Sequence, residues 1–177
     1  MVDIINMKLI RNIILGILLA IFLVMAHIDF LYLLPYPVNN IHLLLGTFVI
    51  IIMWSEKGGV VWLSFFSFFL LNLFTVSPFG TIFISGTITT LILYWFRRDL
   101  FTNRSFWTCI VLGFLAILIF RTLYTILFYL FNFFMSNQDT YIFGSVVFFR
   151  YIWELIFTVA FVAVLYHMFV AFQKKKI

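Results

Sequence analysis

Trp95-Phe96-Arg97-Arg98-Asp99-Leu100-Phe101-Thr102-Asn103-Arg104-Ser105 places three arginines in a short polar break between two long apolar runs. Moving outward in either direction, the next breaks, near Thr75 to Phe79 and Met135 to Tyr141, contain no basic residue. The breaks beyond those are basic again, with Lys57 on one side and Lys174, Lys175 and Lys176 on the other. The gap from His27 to Asn40 has no lysine or arginine, whereas Lys8 and Arg11 precede the first apolar run. Basic residues crowd the cytoplasmic face of membrane proteins, so this alternation predicts six membrane-spanning helices with both termini inside.

Composition leads to the same class. Hydrophobic residues make up 66% of the 177-residue chain and charged residues only 10%, against about 25% charged in ordinary soluble domains. The predicted fold is an all-α membrane protein forming one integral domain. The spans fall at Leu9 to Ala26, Val38 to Trp54, Val60 to Val76, Phe79 to Phe96, Phe106 to Phe134 and Phe143 to Phe172. Trp54, Trp62, Trp95 and Trp107 flank the expected cytoplasmic ends, where an amphipathic indole prefers to lie. Ser55-Glu56-Lys57-Gly58-Gly59 and the turn at Ser77-Pro78 are short, so spans two to four are expected as close antiparallel neighbours at the centre of the fold. Pro35 and Pro37 should shape an extended outer connection, and Ser136 to Thr140 a second outer turn.

The first run could be read as a secretory signal, but it lacks an A-x-A cleavage pattern and its removal would break the charge alternation. The net charge of +5 favours anionic lipid headgroups over nucleic acid. The single Cys109 cannot form an internal disulfide. His27, His42 and His167 lie on different spans without ligand spacing, and no metal or cofactor is expected. No nucleophile with a base, phosphate-cradling loop or paired carboxylates argues for catalysis.

Three charges fall inside spans, where each costs about 2.5–3.5 kcal/mol on insertion scales. Arg121 in the fifth span and Glu154 in the sixth should lie at similar depth, and Arg150 is one turn from Glu154 on the same face. One reading makes Arg121, Arg150 and Glu154 a polar site or proton path. The other makes Glu154 the counter-ion that locks the two helices, with Arg150 reaching the outer headgroups. The fourth span carries Gly80, Thr81, Ser85, Gly86, Thr89 and Thr90. Thr81, Ser85 and Thr89 recur every four residues, a pattern that lets helix backbones approach and exchange weak hydrogen bonds. Asn72, near the end of the third span, is placed to cap the turn that Pro78 and Gly80 continue.

The stretch from Gly58 to Ser105 resembles the rod-shape-determining membrane protein family MreD, in its small, divergent bacterial versions. The resemblance is carried by Gly58-Gly59 entering a span, Leu70-Leu71-Asn72-Leu73-Phe74 at its end, Ser77-Pro78-Phe79-Gly80 as the turn, and Phe101-Thr102-Asn103-Arg104-Ser105 after a small-residue span. The chain departs from the family at Asn72, where an aspartate is usual. The resemblance implies a non-enzymatic component of the cell-elongation machinery in the bacterial cytoplasmic membrane. Its implied partners are a single-span MreC-like protein, the MreB filament and the cell-wall polymerase and transpeptidase. The family is similar in fold to the substrate-binding subunits of energy-coupling-factor vitamin importers. That similarity supplies an alternative role in substrate capture, and a small transporter or lipid enzyme using Arg121, Arg150 and Glu154 is a third.

Overall fold

A computed structural model describes residues 2–55, 58–101, 103–134 and 145–174. Glu56 and Lys57, Thr102, the turn from Met135 to Tyr141, Phe143 and the last two lysines, on which parts of the sequence reading fell, lie outside the described residues.

Among the described residues six α-helices follow one another: α1 (Val2–Leu33), α2 (Leu43–Trp54), α3 (Gly59–Leu73), α4 (Thr81–Trp95), α5 (Phe106–Phe134) and α6 (Ser145–Lys174). No strand occurs among the described residues. Among the described residues three helices are long and apolar enough to cross a bilayer, through Arg11–Leu33, Phe106–Phe134 and Phe148–Phe172. They leave many large apolar side chains uncovered, including Leu18, Phe22, Phe114, Leu118, Ile156 and Phe169. A water-soluble protein rarely tolerates such faces, and a helical membrane protein presents them to lipid. The other three helices are apolar but shorter. At 1.5 Å per residue the 12 residues of α2 extend about 18 Å, well under a hydrocarbon core of about 30 Å.

Helix α1 runs past the expected end at Ala26 to Leu33, so His27 is helical rather than part of a loop. Pro35 and Pro37 then stop it, because neither supplies an amide N–H and each disfavours helix in the residue before it. A 3₁₀ turn at Val38–Asn40 follows. The Nδ1 atom of His42 accepts the amide of Leu45 at 3.4 Å and opens α2.

The centre of the bundle is α2 alone, rather than the second to fourth helices together. It touches all five other helices and buries Leu44, Leu45, Phe48, Val49, Ile50, Ile52 and Met53. Its backbone comes close to α6 because residue 46 is glycine: a Cβ there would lie 2.8 Å from the Phe161 ring. The start of α2 is also tied to α6, since the His42 amide donates to Thr158 Oγ1 at 2.9 Å.

Helices α3 and α4 form the most extensively packed pair. Their turn requires a glycine, because Gly80 has φ +99°, a left-handed conformation that side chains with a Cβ resist. Gly86 leaves the space that the Phe68 ring fills, and an added Cβ would collide with that ring. Thr81, Ser85, Thr89 and Thr90 are buried along α4. Their hydroxyls bond within the chain's own local turn or helix, as in Ser85 to the Thr81 carbonyl at 2.6 Å and Thr89 to the Ser85 carbonyl at 2.7 Å. Cross-helix hydrogen bonds expected from this pattern are therefore replaced by small size alone: each hydroxyl finds its acceptor one turn back.

Candidate functional site

At the end of the bundle that carries Pro35 and Pro37, a cavity of about 370 Å³ opens between α1, α3, α4, α5 and α6 and the segment from Asn39 to His42 that leads into α2. The connection between α1 and α2 reaches it through Asn39, Asn40, Ile41 and His42. Polar groups from distant parts of the sequence meet there: His27, Asn39, His42, Arg121, Arg150 and Glu154.

The strongest interaction joins α5 to α6. Arg121 Nε donates to Glu154 Oε2 at 2.7 Å, and Nη2 donates to the same oxygen. Glu154 is almost wholly buried, while the Arg121 side chain is 25% exposed. The guanidinium also lies 4.7 Å from the centre of the Tyr151 ring, a cation–π contact that spreads its stabilisation beyond the carboxylate. Two charges removed from lipid in this way neutralise each other and join neighbouring helices. Because both donors converge on Oε2, Glu154 Oε1 is buried without a hydrogen-bond partner.

Arg150 lies on the same helix as Glu154 but turns to the proline loop. Its Nε donates to Asn40 Oδ1 at 3.3 Å, and the Asn40 amide nitrogen donates to the Pro37 carbonyl at 3.2 Å. Helix α6 is thereby connected to the loop between α1 and α2. Arg150 makes no ion pair with Glu154, although the two line the same cavity.

His27 and His42 stack at 5.1 Å between ring centres with 16° between their planes. His42 packs edge-on against Phe120 at 4.7 Å. Both histidines are buried, and His27 Nδ1 has no hydrogen-bond partner. Read along the sequence, each histidine is isolated. The signal that could have joined them is position: His27 ends an apolar run and His42 begins the next, so a short connection returns both to the same depth. No group of three potential metal-ligating side chains forms among the described residues.

Asn72 is buried in the last turn of α3, and neither atom of its carboxamide has a hydrogen-bond partner. The capping role expected from the sequence falls to other groups. Thr75 Oγ1 donates to the Asn72 carbonyl at 3.2 Å and lies 3.2 Å from Ser77 Oγ. Thr81 Oγ1 donates to the Pro78 carbonyl at 2.8 Å. The Asn72 side chain instead faces the packed interior, one helical turn from Phe68. Gly58 caps the start of α3 and Gly59 is its first residue.

At the opposite end, α4 runs into a π turn at Phe96–Leu100, where Arg97 donates to the Phe101 carbonyl. A second cavity there, of about 260 Å³, is lined by Arg97, Arg98 and Arg104. The two ends thus differ in character, one gathering histidines, asparagines and an ion pair, the other gathering arginines.

No model of a known protein family, no curated protein and no solved structure matches this chain.

Proposed function

We propose that the chain is a non-enzymatic, six-span component of a bacterial cell-elongation machinery, with both termini in the cytoplasm. In this role it docks an MreC-like single-span protein and helps control peptidoglycan synthesis and cell shape. The observation that carries the reading is the α3–α4 hairpin. Most residues of the MreD resemblance fall on it: Gly58 and Gly59 begin α3, Asn72 sits in its last turn, Gly80 takes the left-handed conformation after Pro78, and Thr81, Ser85 and Thr89 are buried along α4. On this reading the arginine end faces the cytoplasm and the proline end faces outward. Uncovered apolar faces of α1 and α6 offer surface to a partner's single transmembrane helix as well as to lipid.

Affinity purification of the tagged protein from its native membrane in mild detergent tests this reading. Recovery of an MreC-like protein with cell-wall synthesis enzymes is the expected result. Recovery of an energising transporter subunit with paired ATPases would replace it with the second reading, a substrate-capture subunit. The cavity at the proline end favours that alternative, because capture requires a pocket reached from outside the cell.

A further inference from the structure

The proline-end cavity has the volume of a ligand site, near the lower end of the range of about 300–1,000 Å³. Its polar groups are unevenly satisfied. Glu154 Oε1, His27 Nδ1 and Asn39 Oδ1 are buried without hydrogen-bond partners, and all three residues line the cavity. Glu154 and His27 are themselves more than nine-tenths buried. The carboxylate and amide oxygens are acceptors, so an occupant that satisfies them must bring N–H or O–H donors.

Charge fixes the other end of the occupant. Arg121 and Glu154 cancel, which leaves Arg150 as the excess charge of the cavity. Asn40 engages only its Nε, and the terminal nitrogens of a guanidinium suit an anionic oxygen pair. Arg150 and Glu154 both lie on α6 and both line the cavity, so a single small occupant has a guanidinium and a carboxylate within the same space.

We propose that this cavity binds a small zwitterion, its primary ammonium on Glu154, His27 and Asn39 and its anionic group on Arg150. Leu71, Phe74, Ile82 and Phe120 form the apolar wall against which the remainder of the ligand lies. Arg121 is a positioning residue, since by holding Oε2 it leaves Oε1 for the ligand. Two sources carry this chemistry: a free amino acid and the headgroup of phosphatidylethanolamine. The site is independent of the cell-elongation reading, whose partner test can fail or succeed without it.

The test is thermal unfolding of the purified full-length protein with each of the twenty standard amino acids, and separately in nanodiscs of phosphatidylethanolamine or phosphatidylcholine. Stabilisation by an amino acid identifies a free ligand, and stabilisation by phosphatidylethanolamine over phosphatidylcholine identifies a headgroup. The quaternary ammonium of phosphatidylcholine and of glycine betaine has no N–H and should give no shift. Arg150→Gln should weaken binding at least tenfold without preventing folding. Asn39→Ala, which removes one acceptor from a loop, gives a second measurement of the same affinity. The proposal is overturned if no zwitterion shifts the midpoint, if the quaternary compounds act equally well, or if both variants bind as the native protein does.

Discussion

Replacing Glu154 with Gln removes the charge that Arg121 is built against. Breaking one side of a buried ion pair typically costs about 3–5 kcal/mol, because the remaining charge is stranded. Two features of this pair reduce that cost. Arg121 retains the Tyr151 ring 4.7 Å away and is 25% exposed, so part of its charge is stabilised elsewhere. The Gln carbonyl can still accept one of the two hydrogen bonds now directed at Oε2. A loss of about 2 kcal/mol is therefore expected, which in a chain of this length lowers the unfolding midpoint by about 4–8 °C. Thermal unfolding in mild detergent, followed by tryptophan fluorescence, measures it. The paired change Arg121→Met with Glu154→Leu should recover most of the loss, since well-packed apolar residues often replace a buried pair without cost. An unchanged midpoint for Glu154→Gln would refute the helix-locking role. A double variant no better than the single one would show that the contacts of Arg121 outside the pair carry the stability.

Four further substitutions test the packing. Gly80→Ala should cost about 1–2 kcal/mol, because the left-handed φ of +99° is retained by the turn while alanine resists it; a stability equal to native would mean that the turn can rearrange. Gly86→Ala adds helix propensity worth up to about 1 kcal/mol, yet its Cβ meets the fully buried Phe68 ring, so net destabilisation is expected. The same change at Gly16, where a Cβ meets nothing within 4 Å, should stabilise, and the opposite signs provide an internal control in one melting series. Asn72→Leu should raise the midpoint, because it removes two buried polar atoms that lack partners; a lower midpoint would show that the carboxamide has a structural role.

The helices, their order and the two acidic–basic partners were legible in the chain because each depends on local signals. Apolar runs mark the helices, while Pro35, Pro37, Pro78 and Gly80 mark their ends, and an arginine and a glutamate at equal depth must be reconciled in a low dielectric. What was not legible depends on three-dimensional arrangement. The central position of α2 could not be read because a lipid-facing helix and a core helix are equally apolar, which removes the amphipathic contrast that orients helices in soluble proteins. The cavity was hidden for a related reason: it forms where residues far apart in the sequence meet, His27 against His42 and Arg150 against Asn40. Asn72 was misread as a cap because its position beside a turn suggested a local partner, whereas the hydroxyls of Thr75 and Thr81 make those bonds.

Six crossings, including the short helices, are the claim on which the functional account stands, and cysteine accessibility tests it most directly. Cys109 is buried and can be replaced by Ala to give a cysteine-free background. Single cysteines are then placed at Tyr36 and Val76, both highly exposed, and at Asn103 near the arginine end, and labelled with a membrane-impermeant maleimide. The account predicts labelling of Tyr36→Cys and Val76→Cys in intact cells, and of Asn103→Cys only after the membrane is opened. Labelling of Val76→Cys and Asn103→Cys from the same side would show that α4 does not cross, and would contradict it.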